Sequence, residues 1–264
     1  MDAAPQRRER LATLVADRGF ARVVDLAREL RVSEVTVRTD LAVLEGDGRV
    51  TRVHGGAMPR GLVAERESSV EQSRTRLSRA KRAIAVEMAS RVRSGDSLLL
   101  DVGSTTLAVA HALVARADLD ELVVVTNGLT IALALEKAMP RFTVVVTGGT
   151  LRSLQHSLVN PLATTLLDDV RVDLAVLGAT GVDAEAGVTN VNLPEAEVKR
   201  RMVASAARRV LVADSSKLGQ VHLGRVAALD ELDELITDDA APADRVAALR
   251  AVGLAVSLVR VRAH

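Results

Sequence analysis

Three short segments near the start of the chain carry apolar residues at helical spacing, over residues 8–17, 24–30 and 34–45. Ser33 stands immediately before the third segment, where a serine side chain commonly caps a helix. Glycines at 46 and 48 interrupt that segment, and residues 49–54 then alternate between basic and apolar, which is typical of a short strand. The pattern therefore predicts three helices followed by a hairpin within residues 1–57.

From about residue 76 the pattern changes to short leucine-rich or β-branched runs, over 97–102, 122–126, 142–147, 172–178, 209–214, 232–237 and 254–260. Segments with helical periodicity lie between most of them, for example at 105–115, 129–138 and 195–207. This alternation predicts an α/β domain over 76–264, built on a mostly parallel sheet with helices on both faces. Residues 58–75, with Pro59, Gly61 and a polar run, are expected to form a linker.

The amino-acid composition excludes or disfavours several classes of function. The chain has 264 residues, 48% of them hydrophobic and 26% charged, with no apolar stretch long enough for a membrane span and no signal-peptide pattern, so we expect a cytoplasmic protein without a membrane partner. The absence of cysteine excludes disulfides, iron–sulfur clusters and thiolate zinc sites. The five histidines lack metal-ligand spacing, and no P-loop or dinucleotide fingerprint is present, so we expect neither a metal nor a cofactor. With no Trp or Tyr and two Phe, a single-stranded nucleic-acid binder is disfavoured.

Charge is distributed unevenly along the chain. Residues 1–82 hold 17 Lys and Arg against 12 Asp and Glu, whereas residues 83–264 hold 18 against 22. A basic N-terminal piece on an acidic body favours a polyanionic partner for the front of the chain.

The order of elements at the front is that of a winged helix-turn-helix. Periodicity turns Val35, Arg38 and Thr39 away from the apolar stripe of the third helix, toward a DNA major groove. The candidate DNA-binding residues are the cap Ser33, then Val35, Thr36, Arg38 and Thr39 on this helix, and Arg49, Arg52 and His54 on the hairpin. Asp40 fits this surface poorly and is expected to pair locally, an arginine of the wing being one candidate. A small helical bundle used for dimerisation is the alternative.

Small polar residues follow five of the predicted strands. Residues 101–106 (DVGSTT) place Gly103, Ser104, Thr105 and Thr106 at the start of a helix, where backbone N–H groups can bind an anion. Similar strand ends occur at 126–128, 147–150, 178–181 and 214–217. Because parallel strands end at one edge of a sheet, these segments describe a pocket for a small anion, with Lys217 as a point charge. The alternatives are ordinary helix caps and a solvated lysine.

These motifs together resemble the DeoR family of transcriptional regulators. At the front, residues 32–41 (VSEVTVRTDL) and 52–57 (RVHGGA) are similar to the family's DNA-binding signature, although Thr39 stands where the family usually has a second arginine. Over about 81–239, LDVGSTT, VVTNGLTIA, the TGG and GATGV turns, the helix containing Lys199 and VADSSKLG match its effector domain in order and spacing. Asn160 replaces a common glycine, whose left-handed backbone conformation an asparagine can often adopt.

The resemblance implies a ribose-5-phosphate-isomerase-like effector domain that binds phosphorylated sugars or related metabolites. Gly103, Ser104, Thr105, Thr106 and Lys217 would hold the phosphate. The other residues that would line the pocket are Asp101, Asn127, Gly148, Gly149, Gly181, Glu195, Lys199 and Asp214.

Enzymatic activity is disfavoured. The isomerase relatives carry three carboxylates after the strand equivalent to 172–177, and Leu177, Thr180 and Gly181 occupy those places here. Glu195 and Asp214 are the remaining candidates for a base. We therefore expect a homo-oligomeric repressor of carbohydrate metabolism that binds double-stranded operator DNA and responds to a phosphorylated sugar. A sugar-phosphate isomerase with an accessory head and a non-sensing architectural DNA protein are the alternatives.

Overall fold

The computed structural model describes residues 4–18, 21–53, 55–59 and 69–261. The chain divides into two compact units, Met1–Ser68 and Ser69–His264. No helix within the described residues is long and apolar enough to cross a membrane.

The N-terminal unit is a winged helix-turn-helix, as the sequence predicts. Its elements are α1 (Ala4–Arg18), β1 (Ala21–Arg22), α2 (Val23–Leu30), α3 (Glu34–Gly46), β2 (Val50–Val53) and β3 (Gly56–Pro59). The strands form an antiparallel sheet in the order β1-β3-β2, and β2 with β3 is the wing. Val37, Leu41 and Leu44 of α3 are buried, which confirms the predicted inward stripe. The Ser33 hydroxyl accepts the Thr36 N–H at 3.1 Å, which confirms the N-cap.

Asp40 has a partner that local reasoning did not identify. Its carboxylate is buried and accepts a hydrogen bond from Arg7 Nε at 2.6 Å, while Arg8 Nε lies 3.3 Å away. Both arginines belong to α1, so the suggested partner on the wing is wrong. The burial of Asp40 also removes its negative charge from the exposed face of α3.

The C-terminal unit is an α/β domain. Its helices are α4 (Val70–Thr75), α5 (Ser78–Ala89), α6 (Ser104–Ala115), α7 (Leu129–Leu135), α8 (Pro161–Asp168), α9 (Leu193–Ala204) and α10 (Ala243–Ala251). Its strands are β4 (Ser97–Leu100), β5 (Leu122–Thr126), β6 (Phe142–Val146), β7 (Thr150–Arg152), β8 (Ser157–Val159), β9 (Val172–Leu177), β10 (Gly181–Asp183), β11 (Gly187–Asn190), β12 (Ala206–Val212), β13 (Gly224–Ala227), β14 (Glu234–Asp238) and β15 (Ala255–Val259).

Seven parallel strands form the central sheet in the order β15-β14-β12-β9-β4-β5-β6. Leu98 and Leu100 pack with α5, α6 and α7 on one face, whereas Leu99 packs with α8, α9 and α10 on the other. The predicted parallel sheet with helices on both faces is therefore confirmed. The chain leaves β4 toward β5 and β6 and later builds outward from β9. The direction of winding thus reverses between β4 and β9, where open α/β sheets bind their ligands.

Three features differ from the expected pattern. The helix expected over 195–207 runs instead from Leu193 to Ala204, because Asn192 caps its start and Ala206 already pairs with Val172 in the sheet. Two antiparallel additions, the β7–β8 hairpin and the β10-β11-β13 sheet, interrupt the parallel pattern. Within the expected linker, β3 continues to Pro59 and Val70–Thr75 form α4, while residues 60–68 lie outside the described residues.

Candidate functional site

The outer face of α3 offers the side chains expected of a recognition helix. Val35 is 73% exposed, and Arg38 and Thr39 are exposed beside it. The Thr39 hydroxyl donates to the Val35 carbonyl at 3.0 Å, and the hydroxyls of Ser33 and Thr36 lie 2.8 Å apart. The helix therefore presents one apolar contact and one guanidinium, with the hydroxyls held close to the backbone.

Each of the three arginines assigned to DNA has a carboxylate partner within its own unit. Arg38 donates to Glu34 at 3.1 Å, Arg49 donates two hydrogen bonds to Glu9 at 2.6 and 2.8 Å, and Arg52 Nε lies 3.0 Å from Glu45. Hydrogen bonding by Arg49 lowers the pKa of Glu9. All three pairs are solvent-exposed, so a nucleic-acid phosphate can replace the carboxylate at low cost. His54 lies outside the described residues.

The C-terminal unit carries a buried ion pair at the reversal point of its sheet. Asp101 follows β4, and its Oδ2 accepts hydrogen bonds from the Lys199 ammonium and from the Gly178 N–H, the latter at 2.9 Å. Lys199 also donates to the Gly178 carbonyl at 3.1 Å. The ends of β4 and β9 and the helix α9 are thereby joined at one charged cluster.

Asp101 is completely buried, and burial raises the pKa of its carboxyl although Lys199 opposes that shift. Its second oxygen, Oδ1, has no hydrogen-bond partner among the described residues. A buried acceptor without a partner is costly unless a water or a ligand donates to it. Oδ1 is therefore available to a donor, such as a hydroxyl, at the reversal point.

Residues 103–106 form the start of α6, as predicted. Gly103 has φ +148°, a region that favours glycine, and a side chain there would press on the Thr106 hydroxyl at 3.2 Å. Thr106 is fully buried and donates to the Gly103 carbonyl at 3.0 Å, while Thr105 is buried and Ser104 is half-buried. The first turn of α6 thus begins at the carboxyl edge of the sheet, where its free N–H groups favour an anion.

Three of the predicted pocket residues shape the loops of the site and do not offer it a free side chain. Asn127 accepts the Val102 N–H at 3.1 Å and donates to the Leu158 carbonyl at 3.3 Å. Gly149 has φ +116°, and a Cβ there would lie 2.5 Å from the Val159 carbonyl oxygen. Gly181 lies in β10, where a Cβ would lie 2.3 Å from the backbone oxygen of Gln220. Their contribution to the site is therefore the shape of its loops.

Two further strand-end positions have positive φ. Gly148 has φ +75°, next to Gly149. Asn160 has φ 68° and ψ −171°, so its φ is positive, as expected where a glycine is common. Its ψ, however, places the backbone in a region that is energetically costly for residues other than glycine.

Glu195 is held by three partners. It accepts hydrogen bonds from Arg152, from the Ser157 hydroxyl at 2.5 Å and from Asn190 at 3.3 Å. The sequence reasoning did not identify Arg152, which lies on β7 of the unpredicted hairpin. Its position two residues after the turn at 147–150 was the signal that could have found it.

Asp214 and Lys217 lie in one tight turn after β12. Asp214 caps the 3-10 turn Ser215–Lys217 by accepting the Ser216 N–H at 3.1 Å. Lys217 is half-buried, and its ammonium has no hydrogen-bond or ion-pair partner among the described residues. Lys81 of α5, which the sequence reasoning did not assign to the site, lies with its Nζ 3.7 Å from Asp214 Oδ2. Burial lowers the pKa of Lys81, and the nearby Lys217 ammonium acts in the same direction.

The strand ends therefore collect four cationic and four anionic side chains. The cations are Lys81, Arg152, Lys199 and Lys217, and three of the carboxylates, Asp101, Glu195 and Asp214, pair with the first three cations. A further carboxylate, Asp238 at the end of β14, accepts the Ser215 N–H at 2.7 Å. Lys217 is the one of these cations that has no carboxylate partner among the described residues, which suits a small anion. The two carboxylates considered as bases, Glu195 and Asp214, are already engaged by the partners described above, which disfavours proton abstraction by either.

Both units match known protein families. Residues 7–59 match the DeoR-like helix-turn-helix domain, and residues 77–239 match the DeoR C terminal sensor domain.

Individual relatives match along nearly the whole chain. The HTH-type transcriptional regulator GlpR of Haloferax volcanii is 36% identical, over 95% of this chain and 96% of its own length. The HTH-type transcriptional repressor CsqR of Escherichia coli is 34% identical over 90% and 88%, and the glycerol-3-phosphate regulon repressor of Haemophilus influenzae is 31% identical over 88% and 89%. Among solved structures, ribose 5-phosphate isomerase A of Methanocaldococcus jannaschii is similar over 52% of each chain, with 18% identity and a TM-score of 0.39.

Proposed function

This chain belongs to the DeoR family of transcriptional regulators, and from that premise we propose that it represses its target genes under the control of a phosphorylated sugar or a related anionic metabolite. The N-terminal unit would bind operator DNA and the C-terminal unit the metabolite. As a DNA-binding regulator, the protein would act in the cytoplasm, where the chromosome lies.

The exposed face of α3 supports DNA as the partner of the first unit. In a helix-turn-helix the N-terminal residues of the recognition helix contact base edges. Val35 is suited to a thymine methyl group and Arg38 to a guanine edge. Arg49 and Arg52 on the wing would exchange Glu9 and Glu45 for phosphates of the DNA backbone.

The Lys217 ammonium, which has no hydrogen-bond or ion-pair partner among the described residues, is the observation that carries the effector proposal. It lies in a turn at the same sheet edge as the start of α6, where N–H groups favour an anion. The buried pair Asp101–Lys199 would lie beside the bound molecule, with Asp101 Oδ1 accepting a hydroxyl of a sugar. A phosphate and a hydroxyl are the two groups that such a site selects.

Effector and operator would act on one equilibrium between two conformations of the protein. A ligand shifts such an equilibrium only by binding its two states with different affinity. We propose a homo-oligomer, because helix-turn-helix proteins commonly read repeated half-sites with symmetry-related copies.

A gel mobility-shift assay tests the proposal. The DNA comes from upstream of the protein's own gene, and the added compounds are glycerol 3-phosphate, glucose 6-phosphate, ribose 5-phosphate and inorganic phosphate at a fixed salt concentration. We expect a sequence-specific shift that one of the organic phosphates weakens. A shift with no preference for this DNA would contradict the regulator proposal and support an architectural protein. Strengthening of the shift would instead make the compound a corepressor.

A further inference from the structure

The helix α4 is the first element of the C-terminal unit, and it is attached at both ends to the predicted effector site. We propose, on the basis of the function proposed above, that α4 senses occupancy of that site where the chain enters the C-terminal unit. In this proposal Lys81 is the positioning residue that ties α4 to the effector turn, defined here as residues 214–217.

The C-terminal end of α4 is held by Lys81. The Lys81 ammonium donates to the Ser73 carbonyl and, at 2.8 Å, to the Arg76 carbonyl, so it satisfies backbone acceptors where the helix ends. The side chain is buried, with only 5% of the residue exposed. The same ammonium lies 3.7 Å from Asp214, the residue that caps the effector turn. One buried cation therefore contacts both α4 and the turn that carries Lys217.

The N-terminal end of α4 is held by the β7–β8 hairpin. Val70 is buried, and its N–H donates to the Leu154 carbonyl in the hairpin loop at 3.0 Å. Glu71 lies 3.6 Å from His156 in the same loop. The hairpin also carries Arg152 and Ser157, both of which bind Glu195. The first turn of α4 is thus linked to a second part of the same site.

Helix α4 has only six residues and depends on these contacts for its order. Isolated helices shorter than about 12 residues are marginal in water. The capping box between Ser69 and Gln72 supplies local stabilisation, and α4 packs against α6, whose first turn is the predicted anion site. A short helix held between two loops that contact the predicted site should respond to small shifts of either loop, because its own hydrogen bonds stabilise it weakly.

The charge on Lys217 explains how a bound anion would change the electrostatic environment of Lys81. Without an anion, the Lys217 ammonium repels the Lys81 ammonium, which also lies 3.7 Å from Asp214. An anion on Lys217 reduces that repulsion and competes with Asp214 for the positive charge nearby. In this proposal Lys81 then shifts between its ion pair with Asp214 and its hydrogen bonds to the carbonyls of Ser73 in α4 and of Arg76 at its C-cap.

Hydrogen–deuterium exchange of the full-length protein tests the proposal, with inorganic phosphate as the probe. At a phosphate concentration of ten times its Kd, exchange of protected amides slows by up to about tenfold. In the wild type we expect slower exchange in peptides covering both 214–218 and 70–77. In Lys81→Met we expect phosphate still to slow exchange at 214–218, whereas its effect at 70–77 is lost.

Two results would overturn the proposal, and they are distinct. If phosphate protects 214–218 but leaves 70–77 unchanged in the wild type, or protects both equally in Lys81→Met, α4 does not sense occupancy through Lys81. If phosphate protects neither 214–218 nor 103–106 in the wild type, the anion site of the proposed function is misplaced and the inference falls with it.

A second pair of variants covers the case in which Lys81→Met fails to fold. Proline is tolerated at the first position of a helix, and Ser69, with φ −61° and ψ 161°, already has the conformation that a residue before proline prefers. Val70→Pro therefore removes the N–H that binds Leu154, whereas Val70→Ala keeps this N–H although it removes more of the side chain. We expect the phosphate effect at 70–77 to be weaker in Val70→Pro than in Val70→Ala. An equal effect in both would show that the hairpin link does not contribute, contrary to the proposal.

Discussion

The predicted DNA-binding face of the N-terminal unit and the predicted effector site of the C-terminal unit use ion pairs in opposite ways. In the N-terminal unit, Arg38 and Glu34 remain 63% and 46% exposed while paired, and the pairs of Arg49 and Arg52 are similarly open. In the C-terminal unit, the side chains of Lys199 and Asp101 are 4% and 0% exposed. An exposed pair contributes about 0–1 kcal/mol and is easily exchanged, whereas breaking a buried pair costs about 3–5 kcal/mol.

This difference follows from what each unit must bind. A DNA surface has to replace its own carboxylates by phosphates during each encounter, so its arginines need partners that compete weakly. A pocket for a small molecule has to keep its shape when empty, so its charges need partners that are held in place. The five predictions below test this contrast, beginning with the pair that should cost most to break.

Lys199→Met should destabilise the C-terminal unit by about 3–5 kcal/mol, because it leaves Asp101 buried without its counter-charge. Urea denaturation followed by circular dichroism measures the loss. The double variant Lys199→Met/Asp101→Asn removes both charges and should recover part of the stability. If the double variant is as unstable as the sum of the single variants, the two charges do not compensate each other.

The same variant has a pH dependence with a defined sign. Burial already raises the pKa of Asp101, and the loss of Lys199 removes the cation that opposes this shift. Folded Lys199→Met then binds a proton at pH values where the unfolded chain does not. Its stability deficit relative to the wild type should therefore shrink as the pH falls from neutrality toward the ordinary carboxyl pKa of 3.8. A deficit that is constant with pH would contradict this account.

Lys217→Ala should separate binding from stability within the same unit. Lys217 has no ion-pair partner among the described residues, so its removal should change the unfolding free energy by about 0.5 kcal/mol or less. A charged hydrogen bond to phosphate contributes about 1.5–3 kcal/mol, so phosphate affinity should fall roughly 10- to 100-fold. Isothermal titration calorimetry measures the affinity. Lys137→Ala, an exposed lysine on the 3-10 turn after α7, is the matched control and should leave it unchanged.

Arg38→Ala should cost about 1–3 kcal/mol of operator affinity if Arg38 reads a base, with little change in stability because the side chain is exposed. Arg38→Lys keeps the charge but loses the planar fork that recognises guanine. It should therefore retain binding to unrelated DNA while losing preference for the operator. Mobility shifts on operator and scrambled DNA distinguish a loss of preference for the operator from a loss of DNA binding in general. If Arg38→Lys keeps full preference, Arg38 contacts only phosphate.

The helices, strands and turns of this molecule can be predicted from its sequence better than the interaction partners of its side chains. The N-cap Ser33 and the turns around Gly103 and Lys217 depend on nearby residues, so local pattern predicts them. Arg152 and Lys81 were missed because their roles arise from contacts with Glu195 and Asp214, which are 43 and 133 positions away in the chain. The partner of Asp40 was mistaken for the same reason, since burial against α1 is invisible in periodicity. Long-range pairing is what the folded structure adds.

The smallest effect tests whether an exposed carboxylate restrains a DNA-binding arginine. Glu9→Gln should strengthen DNA binding by an amount near the value of an exposed pair, about 0.2–1 kcal/mol, because Arg49 no longer has to leave Glu9 to reach a phosphate. Asp25→Asn is the matched control, since it also removes one exposed negative charge from the same unit but lies beside Arg28. We expect Glu9→Gln to exceed Asp25→Asn in mobility-shift titrations at low salt, with the difference shrinking as salt screens both charges. In the Arg49→Ala background Glu9→Gln should strengthen binding no more than Asp25→Asn does, because only the loss of one negative charge remains. If the excess over Asp25→Asn persists there, it does not arise from the pair with Arg49, and this exposed pair of the wing does not regulate its access to DNA.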